Sequence, residues 1–179
     1  MQKCLIRRGL IFIFVFLLLG IGNIHAKEKL IAIQGFQVQH EIVLPGQPDQ
    51  IYDLITGDIS GWWDHSFSEK PLRFFIEAKP GGGFYEIFDE SGDGVKHATV
   101  TIAQHSKKLA FEGPLGLAGR AIHMVHTYDF NAVGTDSTQI KLTVNALGEI
   151  TEDLAKTVDS VWYHFLFERF KPYVDTQIK

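Results

Sequence analysis

His126 is the residue in this chain best placed to do chemistry. It shares alternate positions with Met124, Tyr128 and Phe130, so a strand here turns an imidazole and a phenol toward one face. In an apolar enclosure such a pair orients the polar end of a ligand or moves a proton. The plain alternative is a core histidine hydrogen-bonded to a neighbour. His40 has the same standing among Phe36, Val38, Ile42 and Leu44. Glu86 shares parity with Phe84 and Phe88, and a carboxylate enclosed by rings can act as an acid or base. The opposite parity, Tyr85 and Ile87, is nearly as apolar, which leaves the inward face of that stretch open.

Other groupings resolve into simpler readings. Adjacent Trp62 and Trp63 cannot both face the same way. One ring is therefore expected in the core and the other at the mouth of a pocket, where an amphipathic ring is useful. Arg169, four residues after Phe165, either reaches a ligand carboxylate or forms a surface ion pair. His123 and His126 are three apart, so a strand points them to opposite faces and they cannot chelate one ion. The run Asp89-Glu90-Ser91-Gly92-Asp93-Gly94 begins like a calcium loop, yet the position that needs a bidentate Glu is Val100. Pro80-Gly81-Gly82-Gly83 lacks the Lys-Ser/Thr ending of a phosphate loop and precedes a strand. Both runs read as turns. There is no Gly-x-Ser-x-Gly motif, and the single cysteine is Cys4. No catalytic residue, metal or cofactor is assigned.

Composition narrows the classes further. The chain has 179 residues, 45% hydrophobic and 21% charged, with a net charge of −4. That length suits one domain. The acidic balance opposes nucleic acid as a partner, since phosphate binding needs clustered cations. Residues 1–26 carry Lys3, Arg7 and Arg8, an apolar run from Leu10 to Ile21, and Ala26 at a cleavage position, as in a secretory signal peptide. The apolar run is shorter than the roughly 20 residues of a membrane span. Cleavage leaves a cysteine-free, more acidic chain, periplasmic or extracellular, without a stable membrane span. An uncleaved N-terminal anchor is the alternative.

The elements that hold these residues follow from period. After a polar lead over residues 27–35, residues 36–44 alternate as a half-buried strand. Pro48 and Asp49 open a short helix through Ile55, and residues 58–64 suggest a second. Six further strands are expected over residues 72–77, 84–89, 95–104, 109–112, 121–133 and 138–147, each bounded by turn residues. Residues 152–173 change to gaps of three and four, an amphipathic helix capped by Thr151 that Pro172 should end or bend. A sheet and a helix with one apolar face each must bury those faces against each other.

This order resembles the helix-grip fold of the START-like (SRPBCC) superfamily, the fold of the birch-pollen allergen family and of polyketide cyclases. Its most similar branch is that of activators of the heat-shock-protein-90 ATPase. The resemblance rests on residues 48–56, Trp62-Trp63, Pro80-Gly81-Gly82-Gly83-Phe84, Leu109-Ala110-Phe111-Glu112, Tyr128-Asp129-Phe130, Thr143-Val144 and the terminal helix. It covers about residues 36–174 of a single START-like domain, residues 36–179. It implies an α+β fold, here a bent antiparallel sheet of about seven strands around a long C-terminal helix. It also implies a cavity for lipids, polyketides or other apolar molecules, and only some members are enzymes. The expected lining is Trp62, Trp63, Phe84, Phe88, Phe111, His126, Tyr128, Val144, Trp162, Phe165 and Arg169. The expected function is non-catalytic binding of a small hydrophobic partner molecule. The alternatives are a cyclase- or hydrolase-like enzyme using cavity His, Tyr or Glu, and a chaperone-like interaction module. Oligomeric state stays open. The export signal sets this chain apart from the cytosolic work of that branch.

Overall fold

The computed structural model describes residues 32–178. The signal-peptide reading over residues 1–26, and most of the polar lead, lie outside them. The last two residues of that lead, Gln34 and Gly35, belong to the first strand.

The fold is α+β, with an eight-stranded antiparallel sheet and a C-terminal helix of 26 residues. The strands are β1 (Gln34–Pro45), β2 (Gly57–Asp58), β3 (Arg73–Ile76), β4 (Gly83–Ile87), β5 (Gly94–Gln104), β6 (Lys108–Glu112), β7 (Ile122–Val133) and β8 (Ser137–Gly148). From β2 to β8 each strand pairs with the next, and β1 adds to β8 at the far edge. Short turns join most of these strands, with longer loops over residues 59–72 and 113–121. The pairing of β1 with β8 is the long-range closure, and its register sets His40 opposite Leu142.

Two expectations need correction. The strand count is eight, not seven, because Gly57–Asp58 pairs with β3 through Asp58↔Phe75. The second short helix over residues 58–64 does not form. That stretch leaves β2 through a turn in which the Trp62 and Trp63 N–H groups both donate to the Ile59 carbonyl. Helix α1 (Pro48–Ile55) forms as expected, with Pro48 in its first turn and Ile51, Tyr52 and Ile55 buried.

Sheet alternation holds cleanly in β7 and β8. Met124, His126, Tyr128 and Phe130 are buried, as are Ile140, Leu142, Val144 and Ala146. Strand β5 breaks its alternation twice. Phe84 pairs with Ala98 and Tyr85 with Lys96, so His97 is an extra residue. Val100 pairs with Phe111 and Ile102 with Ala110, so Thr101 is another. Each bulge bends its strand and re-aims side chains. The first buries His97 beside Ala98, and the second leaves Ile102 exposed.

The C-terminal helix begins at a Thr151 cap, whose hydroxyl accepts from the Leu154 N–H, worth about 1 kcal/mol. It runs as α2 (Glu152–Tyr163), a π-helical segment (His164–Phe170) and α3 (Lys171–Gln177). Pro172 does not end it. A proline lacks the N–H and crowds the carbonyl four residues back, here that of Glu168. The wider π turn just before it accommodates this, and the Lys171 N–H reaches the Leu166 carbonyl. Leu154, Val158, Trp162, Phe165, Leu166, Phe170 and Val174 form its buried face. Among the described residues, no helix is long and apolar enough to cross a membrane.

Candidate functional site

An apolar chamber of about 210 Å³ lies between α2, Met124 of β7 and the loop after β6. The helix supplies Leu154, Val158, Val161, Trp162 and Phe165. The loop supplies residues 114–117, which include a 3-10 turn, Leu115–Leu117. Trp63 closes one side, stacked on Phe165 with ring centroids 3.8 Å apart. Leu115 is buried in the loop with a positive φ of 46°, a costly backbone state for a branched side chain.

A second, more polar chamber of about 220 Å³ adjoins the first, lined by Trp63, His65, Ser66, Phe67, His97 and Gly116. Trp63, His65 and Gly116 belong to both walls. The half-exposed His65 also borders an open groove along Lys156, Thr157 and His164, so it stands where the chambers meet solvent.

Of the expected lining residues, the structure brings Trp63, Trp162 and Phe165 to the apolar chamber. The others sit elsewhere. Trp62 is buried like Trp63, but only Trp63 borders the chambers, and Trp62 is a core ring. The irregular turn lets both rings point inward. Trp62 packs on Phe170 at 4.9 Å, and its indole N–H donates to the Leu54 carbonyl. Phe84 and Phe111 are core residues behind Trp63 and beside His126. Val144 is fully buried on β8. Phe88 falls past the end of β4 and is only partly covered. Arg169 takes its surface reading, with Nε 3.1 Å from Asp64 Oδ2 and 3.3 Å from the Trp62 carbonyl. Tyr128 packs against Phe111, Phe130 and Trp162, and burial pushes its hydroxyl pKa well above the ordinary value.

His126 is 0% exposed, and neither ring nitrogen has a hydrogen-bond partner. It stacks on Phe111 at 5.0 Å and tilts against Trp162 at 5.1 Å. Burial pushes its pKa down to about 3, which the nearby Phe111 backbone only partly opposes. His126 is therefore a neutral ring at neutral pH. His40 stays half-buried, with Nε2 3.1 Å from Asp159 Oδ1.

The polar feature that sequence reasoning missed is the Glu86–His97 pair. Phe84 and Glu86 are the inward residues of β4, both 0% exposed. Glu86 accepts from Ser66 Oγ at 2.5 Å, from the Phe67 N–H at 3.0 and 3.1 Å, and from the Ser68 N–H at 3.2 Å. His97 Nε2 is 3.1 Å from Glu86 Oε2. His97 is 3% exposed and its Nδ1 has no partner. Burial lowers the His97 pKa, and Glu86 opposes this. The Leu115 backbone also favours the charged ring without reaching hydrogen-bond geometry. The bulge explains the miss, because strict alternation along β5 would have turned His97 outward.

Among the described residues, Asp64, His65 and His164 place three metal-capable atoms within 4.8 Å of one another. Their contacts already form an ion-pair network. His164 Nε2 lies 3.0 Å from Asp64 Oδ2 and its Nδ1 lies 2.8 Å from Glu168. The Glu168 hydrogen bond, helped by Asp64, raises the His164 pKa. Burial works against the Asp64 charge, but hydrogen bonds from His164 and His65 hold its pKa below the ordinary value. With Arg169 also on Asp64, the carboxylate is satisfied as an ion-pair partner.

No family model matches the chain, and no curated protein resembles it in sequence. Solved structures do resemble it. A protein of unknown function from Staphylococcus aureus has a TM-score of 0.57 at 14% identity, covering 81% of this chain and 96% of its own. A protein from Rhizobium loti has 0.57 at 19%, covering 75% and 94%. The Aha1 dimer from Colwellia psychrerythraea has 0.50 at 19%, covering 74% and 92%. At these identities the likeness shows the fold alone.

Proposed function

We propose that this chain is a helix-grip protein of the START-like kind that binds a small apolar molecule and performs no chemistry on it. The observation that carries the reading is the partly open apolar chamber between α2, Met124 and the loop after β6. A dry cavity of about 150 Å³ takes up benzene, so about 210 Å³ suits one or two rings. Sites for drug-sized ligands run to about 300–1,000 Å³, which sets long lipids and steroids aside for the chamber as it stands. The leader-like residues 1–26 support a role outside the cytoplasm, and fractionation finding only cytosolic protein would remove that part.

The test is titration of the purified protein with naphthalene, followed by calorimetry and by Trp fluorescence, since Trp63 and Trp162 line the chamber. Saturable one-to-one binding is expected. Leu154→Trp fills the chamber and should weaken it at least about tenfold, or 1.4 kcal/mol. Binding that survives this filling would place the ligand elsewhere.

A further inference from the structure

The polar chamber holds something a simple hydrophobic pocket does not need. His97 was brought inward by a β-bulge, and bulges recur where a site requires a re-aimed side chain. The loop leaving β6 is fitted to that bulge, because a Cβ on Gly113 would lie 2.4 Å from the His97 carbonyl oxygen. Behind the ring, Glu86 is anchored by Ser66 Oγ and by the Phe67 and Ser68 N–H groups. A carboxylate accepts only, so its contact with His97 takes the Nε2–H. The neutral ring then carries its lone pair on Nδ1, the atom that has no partner. A buried acceptor left unpaired costs on the order of 1–3 kcal/mol. A ligand that brings a donor recovers that cost.

We propose that His97, held by Glu86, recognises the polar end of the ligand, and that the ligand is a compact aromatic molecule bearing a hydroxyl or N–H donor. This rests on the binding reading above: the ring body occupies the apolar chamber and the donor reaches across the shared Trp63–Gly116 wall into the polar one.

Two probes of the same ring size test it, 2-naphthol with a donor and naphthalene without. Wild-type protein should prefer 2-naphthol by about tenfold, the yield of one good hydrogen bond. His97→Phe should abolish the preference, so that the variant binds 2-naphthol no more tightly than it binds naphthalene. Equal wild-type affinities, or a preference that survives His97→Phe, would overturn the assignment and leave the apolar binding reading intact. The wild-type comparison decides even if the variant fails to fold. Failure of both probes to bind removes the binding reading and this assignment with it.

Discussion

At His126 the fold keeps an imidazole where none of its polarity is used. Both nitrogens are buried without partners, and the surroundings are the rings of Phe111 and Trp162. An apolar ring of similar shape avoids that desolvation, so His126→Phe should raise stability by about 1–2 kcal/mol at pH 7. The pH dependence supplies a second, sharper readout. The unfolded histidine titrates near 6.5 and the folded one near about 3. Between these values the unfolded chain binds the extra proton, so stability is full above 6.5 and is lost as pH falls toward 3. The slope from this group approaches about 1.4 kcal/mol per pH unit. Burial lowers the His97 pKa too, so the quantity to measure is the difference between wild type and His126→Phe in urea melts from pH 7 to pH 4. Parallel profiles would show that His126 does not titrate as its burial demands. The inward face of β7 was readable from parity, but the missing partner was not, because it depends on which groups β6 and α2 bring across.

The elements carry a similar division. Alternation and the three-four spacing located seven strands and both principal helices to within a few residues, since each pattern reports burial on one face. What escaped was decided by pairing. Gly57–Asp58 is too short to show a period and is a strand only because β3 lies beside it. His97 is inward only because Tyr85 pairs with Lys96. The loop after β6 is tied to that bulge, and glycine is needed there for close approach rather than for flexibility. Gly113→Ala sets a Cβ against the His97 carbonyl at 2.4 Å and the Ala98 Cα at 2.6 Å, and should cost about 2 kcal/mol or more. Gly116 in the same loop has nothing within 4 Å of the added Cβ, so Gly116→Ala should stay within about 1 kcal/mol. Equal losses in thermal or urea unfolding would mean that the loop tolerates substitution uniformly and is not fitted to the bulge.

For the whole molecule, the order of elements implied a sheet closing on a helix, but not how much space remains between them. Residue volumes settle that. Trp63, Trp162 and Phe165 turn most of the interval into core and leave a chamber of about 210 Å³. On the proposed binding reading, that size sets which ligands are admitted. A ligand that binds only the folded state stabilises it by RT ln(1 + [L]/Kd), about 2.7 kcal/mol at a hundredfold excess over Kd. For a domain of this length that is a rise in Tm of about 5–10 °C. A two-ring aromatic such as 2-naphthol should produce it in a concentration-dependent way. A sterol, which needs several times the volume, should produce no shift at its solubility limit, because α2 and the sheet would have to part and expose Leu154, Val158 and Phe165 to admit it. A sterol that raises Tm as much as the two-ring probe would mean that the loop over residues 113–119 opens and joins the two chambers into one larger site.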